Sequence, residues 1–146
     1  MTETALDQFS LLAELVAEDR RALGEFLTPR EIDAGSSLFR ASEEAEDLFL
    51  VTQGSLAIRL DGQPIAELGA GEAVGALCLV SVGRRECDAV AAVPTQVLCL
   101  SRESYLRLRA DLPALALQLQ EAVLRNFVSL VRNVLGDKRA PSASVS

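Results

Sequence analysis

SLAIRLDGQPIAEL, residues 55–68, is the stretch that decides the fold. Apolar and polar residues alternate in both halves, as they do in a β-strand with one buried face. Asp61-Gly62 separates the halves, and a two-residue loop of this kind is typical of a type I′ turn, which requires a positive φ at both positions. The stretch therefore predicts a β-hairpin.

Further short strands with turn residues between them are predicted on both sides of this hairpin. LFLVTQG (48–54) is a strand upstream, and CDAVAAVPTQVLCL (87–100) gives two strands downstream. GAGEAVG (69–75) is predicted to be a glycine-punctuated loop, and SEEAED (42–47) a solvated acidic loop. Many short strands at this spacing over residues 30–100 predict an antiparallel sandwich or barrel.

Helical segments are predicted on both sides of this strand-rich region. Residues 6–29 carry apolar side chains at roughly helical spacing. Residues 101–136 form a short helix and then a long one, with Pro113 near the first turn of the long helix and Gly136 at its end. The polar tail 137–146 is predicted to be disordered.

The composition excludes several classes of function. The net charge is −7 at pH 7, whereas a nucleic-acid-binding surface needs a concentrated basic patch, so direct DNA binding by this chain is not expected. No apolar run reaches the roughly 20 residues that span a bilayer, and the N-terminus lacks the features of a signal peptide. We therefore expect one domain over residues 1–136, no membrane association and a cytoplasmic location.

The sequence contains three cysteines and no histidine. Because histidine is the commonest general base and metal ligand, an enzyme and a metal site are both disfavoured, including a metal enzyme built on a similar barrel. Cys78 and Cys99 lie in apolar segments and are expected to be buried structural thiols. Cys87 lies beside two carboxylates that disfavour its thiolate, so it is not expected to be a reactive nucleophile. We expect no catalytic residues.

The long C-terminal helix is apolar around more of its circumference than one contact surface needs. We therefore expect it to bury a second face against its copy in a homodimer. The residues predicted to form this dimer face are Leu119, Val123, Phe127, Leu130 and Val134. The polar residues Asn126, Ser129 and Asn133 are predicted to lie in or beside the seam, with a solvent-facing position as the alternative.

Four motifs and one arginine carry a resemblance to a known family. They are FLTPREIDAGSSLFR (26–40), DLFLVTQGSLAIRL (47–60), LGAGEAVGALCLV (68–80), LCLSRESYLRL (98–108) and Arg85. The chain resembles the cyclic nucleotide-binding domain of catabolite-activator-type regulators, kinase regulatory subunits and cyclic nucleotide-gated channels. The resemblance covers about residues 6–136. It implies a mainly β, α+β fold: an antiparallel, jelly-roll-like β-roll (a double-stranded β-helix) between N-terminal helices and a long C-terminal helix.

In that family a phosphate-binding cassette resembling F-G-E-[LI]-A-L-L, followed after a short loop by P-R-[SA]-A-[TS]-V, holds the nucleotide. Carried over by position, Gly75 is the cassette glycine, Leu77 its apolar residue and Arg85 the phosphate-binding arginine. Ala76 stands where the family has a glutamate that accepts from the ribose hydroxyl. Four further positions also depart from the family: Arg84 replaces a proline, Glu86 a small residue, Cys87 an alanine and Asp88 a hydroxyl residue.

These departures predict weak or lost binding of cAMP and cGMP. Loss of the contact at Ala76 costs about 1.5–3 kcal/mol, equivalent to about 10- to 150-fold in affinity. Glu86 and Asp88 are both available to pair with Arg85 inside the chain, and we predict that Asp88 forms this ion pair in place of the phosphate. The candidate base-capping residues are Asn126, Ser129 and Asn133.

The resemblance therefore implies a stand-alone regulatory or sensory module in bacterial signal transduction, acting by ligand-linked or constitutive interaction with an unknown effector protein. Two alternatives stay open. One is a true cAMP or cGMP receptor in which the cassette and Arg85 suffice. The other is the effector domain of a Crp/Fnr-like transcriptional regulator that lacks its DNA-binding part.

Overall fold

The computed structural model describes residues 6, 8–79 and 83–136. The helices are α1 Ala17–Gly24, α2 Arg102–Asp111 and α3 Pro113–Gly136, with 3₁₀ helices at Ser10–Leu12 and Ala76–Leu79. The strands are β1 Thr28–Ile32, β2 Ser37–Phe39, β3 Asp47–Gln53, β4 Ser55–Leu60, β5 Gln63–Gly69, β6 Ala73–Val74, β7 Asp88–Ala91 and β8 Thr95–Ser101. The predicted tail, 137–146, lies outside the described residues.

The strands form two antiparallel sheets of four strands, with the orders β1-β8-β3-β6 and β2-β7-β4-β5. The β4–β5 hairpin turns at Asp61 and Gly62, whose φ angles are +52° and +80°. Both angles are positive, so the predicted type I′ turn is confirmed. The predicted fold class, an antiparallel β-roll flanked by helices, is also confirmed.

The sheet that contains β3 and β8 separates two apolar clusters. Phe49 and Val51 of β3 point into the roll, whereas Leu48 and Leu50 point towards the helices, because successive side chains of a strand lie on opposite faces. The helix-side cluster also takes in the N-terminal segment, α2 and the first half of α3. The C-terminal helices are thus packed on the back of the sheet that carries β3.

The N-terminal region is less helical than predicted, and β1 begins at Thr28, inside the segment 6–29 expected to be helical. Leu6, Phe9 and Leu12 are each at most 1% exposed. These side chains are buried by a 3₁₀ turn and the residues beside it, not by a continuous helix. The helical spacing was misleading because a short irregular segment can also bury every third or fourth side chain.

Helix α3 has two apolar faces, of which only one is buried within the chain. Leu115, Leu119 and Val123 are 4%, 0% and 1% exposed and pack into the helix-side cluster. The second face, which we call the exposed stripe, consists of Leu117, Leu124, Val128, Val131 and Leu135. Its spacing of seven, four, three and four residues matches the a and d positions of a heptad repeat, with Glu121 at the missing position.

This arrangement corrects the predicted dimer face. Leu119 and Val123 cannot belong to it because their side chains are buried inside the chain. Phe127 is 43% exposed and lies next to the exposed stripe. The side chains of Leu130 and Val134 lie outside the described part of the structure.

Among the described residues, none of the helices combines the length and the apolar character that a membrane span requires.

The polar residues of α3 lie away from the exposed stripe. Asn126 and Asn133 follow Leu119 at seven-residue intervals, and Ser129 follows Ala122 at the same interval. Because seven residues are nearly two helical turns, all three continue the buried face of the helix beyond the point where the core ends. They are exposed there. Their exposure agrees with the solvent-facing alternative, and a place in or beside a dimer seam stays a prediction.

Candidate functional site

The cassette glycine and the cassette arginine lie against each other. Gly75 follows β6 and has a φ of +83°, in the left-handed region that favours glycine. A Cβ at this position would lie 2.5 Å from Nη1 of Arg85 and 2.8 Å from the carbonyl oxygen of Asp47. Both the backbone angle and the close approach of Arg85 therefore require glycine here.

Arg85 is a buried cation, 9% exposed. Its Nη2 donates to the carbonyl oxygen of Asp47 at 2.8 Å. Its Cζ lies 4.2 Å from the ring centroid of Phe39 and 5.6 Å from that of Phe49, which is within the range of cation–π interactions. Its Nε is buried and has no hydrogen-bond partner in the described part of the chain. Burial lowers the pKa of Arg85, but a guanidinium stays charged at neutral pH.

The predicted ion pair between Arg85 and Asp88 is wrong. Oδ1 of Asp88 accepts from the backbone N–H of Ala41 at 2.7 Å instead. Asp88 begins β7, and its short side chain satisfies an amide at the end of the neighbouring β2. Over the residues that the structure describes, no carboxylate lies within ion-pair distance of the Arg85 guanidinium.

The acidic segment 42–47, predicted to be a solvated loop, holds Arg84 and Arg85 through its backbone. The N–H of Arg85 donates to the carbonyl of Glu43 at 2.7 Å, and the N–H of Ser42 donates to the carbonyl of Arg85 at 2.8 Å. Nη1 of Arg84 also donates to the carbonyl of Ser42, at 2.8 Å. Most side chains of the segment are exposed, so the prediction was right for the side chains and wrong for the backbone.

The aromatic neighbours of Arg85 were missed by the sequence analysis. Phe39 belongs to β2 in one sheet and Phe49 to β3 in the other, and their rings stack with centroids 6.0 Å apart. The available signal was that both residues occupy inward positions in predicted strands. Nothing in the sequence indicated that they converge on Arg85.

The other predicted cassette residues have varied surroundings. Ala76 begins the 3₁₀ helix and is half-buried, whereas Glu86 is exposed. The side chain of Leu77 lies outside the described part of the structure. The charge of Arg85 acts to lower the pKa of Cys78 and of Cys87, against the larger effect of burial.

The three thiols are protonated at neutral pH. Burial raises the pKa of Cys78 and Cys99 to about 11. Burial, followed by the charge of Asp88, raises the pKa of Cys87. These directions agree with the expectation that Cys87 is not a reactive nucleophile. Within the described residues there is no group of three or more side chains arranged to hold a metal ion.

Comparison with known proteins identifies the family. The family model of the cyclic nucleotide-binding domain matches residues 29–111. This range includes both halves of the cassette and every strand, apart from the first residue of β1. The chain belongs to the cyclic nucleotide-binding domain family.

Similar proteins include regulators with this domain. The cyclic AMP receptor protein of Thermus thermophilus is 33% identical over 118 residues, covering 69% of this chain and 55% of that protein. The structure of the Thermus thermophilus catabolite activator protein has a TM-score of 0.69 and 30% identity, covering 86% of this chain and 62% of that one. A cyclic nucleotide-binding domain from Methylobacillus flagellatus shares the fold, with a TM-score of 0.80, 22% identity and coverages of 98% and 83%. The chain thus spans about half the length of the Thermus receptor, and about a fifth of other curated relatives.

Replacing Gly75 by alanine is expected to lower the free energy of unfolding by about 2 kcal/mol or more, because strain at positive φ adds to a clash with Asp47 and Arg85. Gly62→Ala is the matched control: its φ is +80°, but a Cβ there would meet nothing within 4 Å. It is expected to cost only about 1 kcal/mol. Chemical denaturation measures both values, and equal losses would show that the contact between Gly75 and Arg85 is unimportant.

Proposed function

We propose that the chain is a cytoplasmic, non-enzymatic regulatory module that binds a small anionic ligand of the cyclic nucleotide type at Arg85. The supporting observation is a buried guanidinium that has no carboxylate within ion-pair distance among the described residues, so that the charges of Asp47 and Glu43 act on it only from further away. An unpaired buried charge is costly, and one carbonyl and two aromatic rings offset only part of that cost. A bound phosphate would supply the missing counter-charge through charge-assisted hydrogen bonds.

The proposed binding is weak rather than lost. Ala76 offers no acceptor to a ribose hydroxyl, so this contact of the family is missing. Asp88, however, is held by Ala41 and does not neutralise Arg85. Without an ion pair between Arg85 and Asp88, complete loss of binding is not expected. The missing acceptor at Ala76 still predicts reduced affinity.

We also propose that the module is a homodimer through the exposed stripe of α3. The stripe has heptad spacing, and all five of its apolar side chains are at least 39% exposed in the single chain. A second copy would cover the stripe of each chain with the stripe of the other. Asn126, Ser129 and Asn133 lie away from this seam and stay available as base-capping candidates. The downstream partner in this proposal is an unidentified effector protein.

A second candidate function is supported by the similarity to the Thermus cyclic AMP receptor protein, of which this chain spans 55%. In this alternative the domain is the sensory part of a transcriptional regulator of the Crp/Fnr type. Its ligand site and its dimer helix would be the same, and DNA binding would reside outside the residues discussed here.

Calorimetric titration with cAMP and cGMP tests the ligand site. We expect binding that Arg85→Gln weakens by at least about tenfold, because the variant removes a charge-assisted contact. Arg59→Gln removes the same charge from an exposed position on β4 and is expected to leave the affinity within about twofold. Absence of binding by the wild-type protein at millimolar nucleotide, or equal binding by Arg85→Gln, would contradict the proposal.

Ala76→Glu is expected to raise the affinity for cAMP by about 10- to 150-fold, because it restores a charged acceptor for the ribose hydroxyl. The same variant should gain no affinity for 2′-deoxy-cAMP, which lacks that hydroxyl. Competition binding with the two nucleotides measures the difference. An equal gain for both nucleotides would mean that position 76 does not face the ribose.

Sedimentation equilibrium tests the dimer. Leu124→Glu places a charge in the proposed seam and is expected to give a monomer, since the seam would otherwise bury this carboxylate. Leu106→Glu is the matched control, because Leu106 of α2 and Leu124 are almost equally exposed, at 49% and 50%. The control should stay dimeric. A monomeric wild-type protein, or a dimeric Leu124→Glu variant, would exclude this interface.

A further inference from the structure

Arg102, the first residue of α2, contacts two segments outside its own helix. Its Nη2 donates to the carbonyl oxygen of Cys78 in the 3₁₀ helix of the cassette. The same atom lies 3.4 Å from the carbonyl oxygen of Ala45, and the backbone N–H of Arg102 donates to the carbonyl of Glu46 at 2.7 Å. One residue therefore joins the cassette helix, the acidic segment and the start of α2.

The backbone of the acidic segment contacts both Arg85 and Arg102. Its carbonyl groups at Glu43 and Asp47 accept from the backbone N–H and the guanidinium of Arg85. Between these two residues, the carbonyl groups of Ala45 and Glu46 contact Arg102. A displacement of this segment would therefore change the contacts of both arginines together.

The cassette helix, Ala76–Leu79, also lies between Arg85 and Arg102. Gly75 precedes this helix directly and lies against Nη1 of Arg85. Cys78, near the other end of the helix, accepts from Arg102. Burial raises the pKa of the Cys78 thiol, and the charges of Arg85 and Arg102 act in the opposite direction. The short helix is thus fixed at one end by packing against Arg85 and at the other by a hydrogen bond from Arg102.

We propose that Arg102 is a positioning residue of the anion site: it fixes the cassette helix and the acidic segment around Arg85 and ties them to the first turn of α2. The inference rests on the proposed function for its ligand and on the hydrogen bonds of Arg102 for its geometry. Arg102 does not contact the ligand in this proposal. It determines how tightly the ligand is held, and it joins the ligand site to α2, which packs against the helix that carries the exposed stripe.

The thiol of Cys78 provides a test that needs no ligand. It is 3% exposed and belongs to the helix that Arg102 holds. With Cys87 and Cys99 replaced by alanine, the rate of its reaction with a thiol reagent reports local opening of this helix. We expect Arg102→Gln to raise the rate by about tenfold, as loss of a charged hydrogen bond predicts. Arg109→Gln, an exposed position in the last turn of α2, should change it by less than about twofold.

Titration with cAMP supplies the second readout. Arg102→Gln is expected to weaken binding by about tenfold, and Arg109→Gln to leave it unchanged. Arg102→Lys keeps the charge but lacks the planar group that serves two carbonyls, so it should recover only part of the affinity. Bound cAMP should slow the labelling of Cys78 in the parent protein and much less in Arg102→Gln.

The outcomes separate the two proposals. Unchanged labelling of Cys78 in Arg102→Gln would overturn the positioning role. Faster labelling with unchanged cAMP affinity would overturn it too, because the contact would then stabilise the helix without serving the site. Failure of the parent protein to bind cAMP would overturn the proposed function and with it the ligand role of Arg102, whereas its hold on the cassette is decided by the labelling alone.

Discussion

The buried guanidinium of Arg85 is the constraint on which the rest of the site depends. A charge inside an apolar roll needs compensating contacts, and the contacts here come from strands of both sheets. Asp47 and Phe49 belong to β3, Phe39 to β2, and Gly75 follows β6. The two sheets therefore have to pack in one relative position for these groups to surround the guanidinium. The glycine at positive φ makes the space that the guanidinium occupies.

The fold could be predicted because its signals are local in the sequence. The Asp61-Gly62 turn determines a hairpin on its own, and Pro113 and Gly136 mark the two ends of a helix. The faces of α3 were harder to predict, because leucine and valine occur on both. Periodicity indicates that a second apolar face exists, but only the packed chain shows which face its own core covers. Leu119 and Leu124 look alike in sequence, yet they are 0% and 50% exposed.

The surroundings of Arg85 could not be predicted for a different reason. Asp88 is its near neighbour in sequence, but the direction of β7 brings its carboxylate to the amide of Ala41. The groups that do contact Arg85 are a backbone carbonyl 38 residues away and two phenyl rings. A carbonyl group carries no residue-type signal, since every residue has one. Charge matching along the sequence therefore favoured a carboxylate where the fold uses a main-chain oxygen.

The contact between Arg85 and Asp47 also links ligand binding to the helices. On the proposed function, an anion bound to the guanidinium shares it with the Asp47 carbonyl, and that carbonyl belongs to the segment that Arg102 holds from α2. On the proposed function, ligand binding is then linked to the position of α2, and through it to α3 and its exposed stripe. Such linkage is reciprocal: if the ligand strengthens dimerisation by some factor, dimerisation strengthens ligand binding by the same factor. A weak site with Ala76 in place of a carboxylate would therefore gain affinity from a partner that stabilises α3 in its ligand-bound arrangement. The low intrinsic affinity implied by the cassette is thus compatible with a role in regulation.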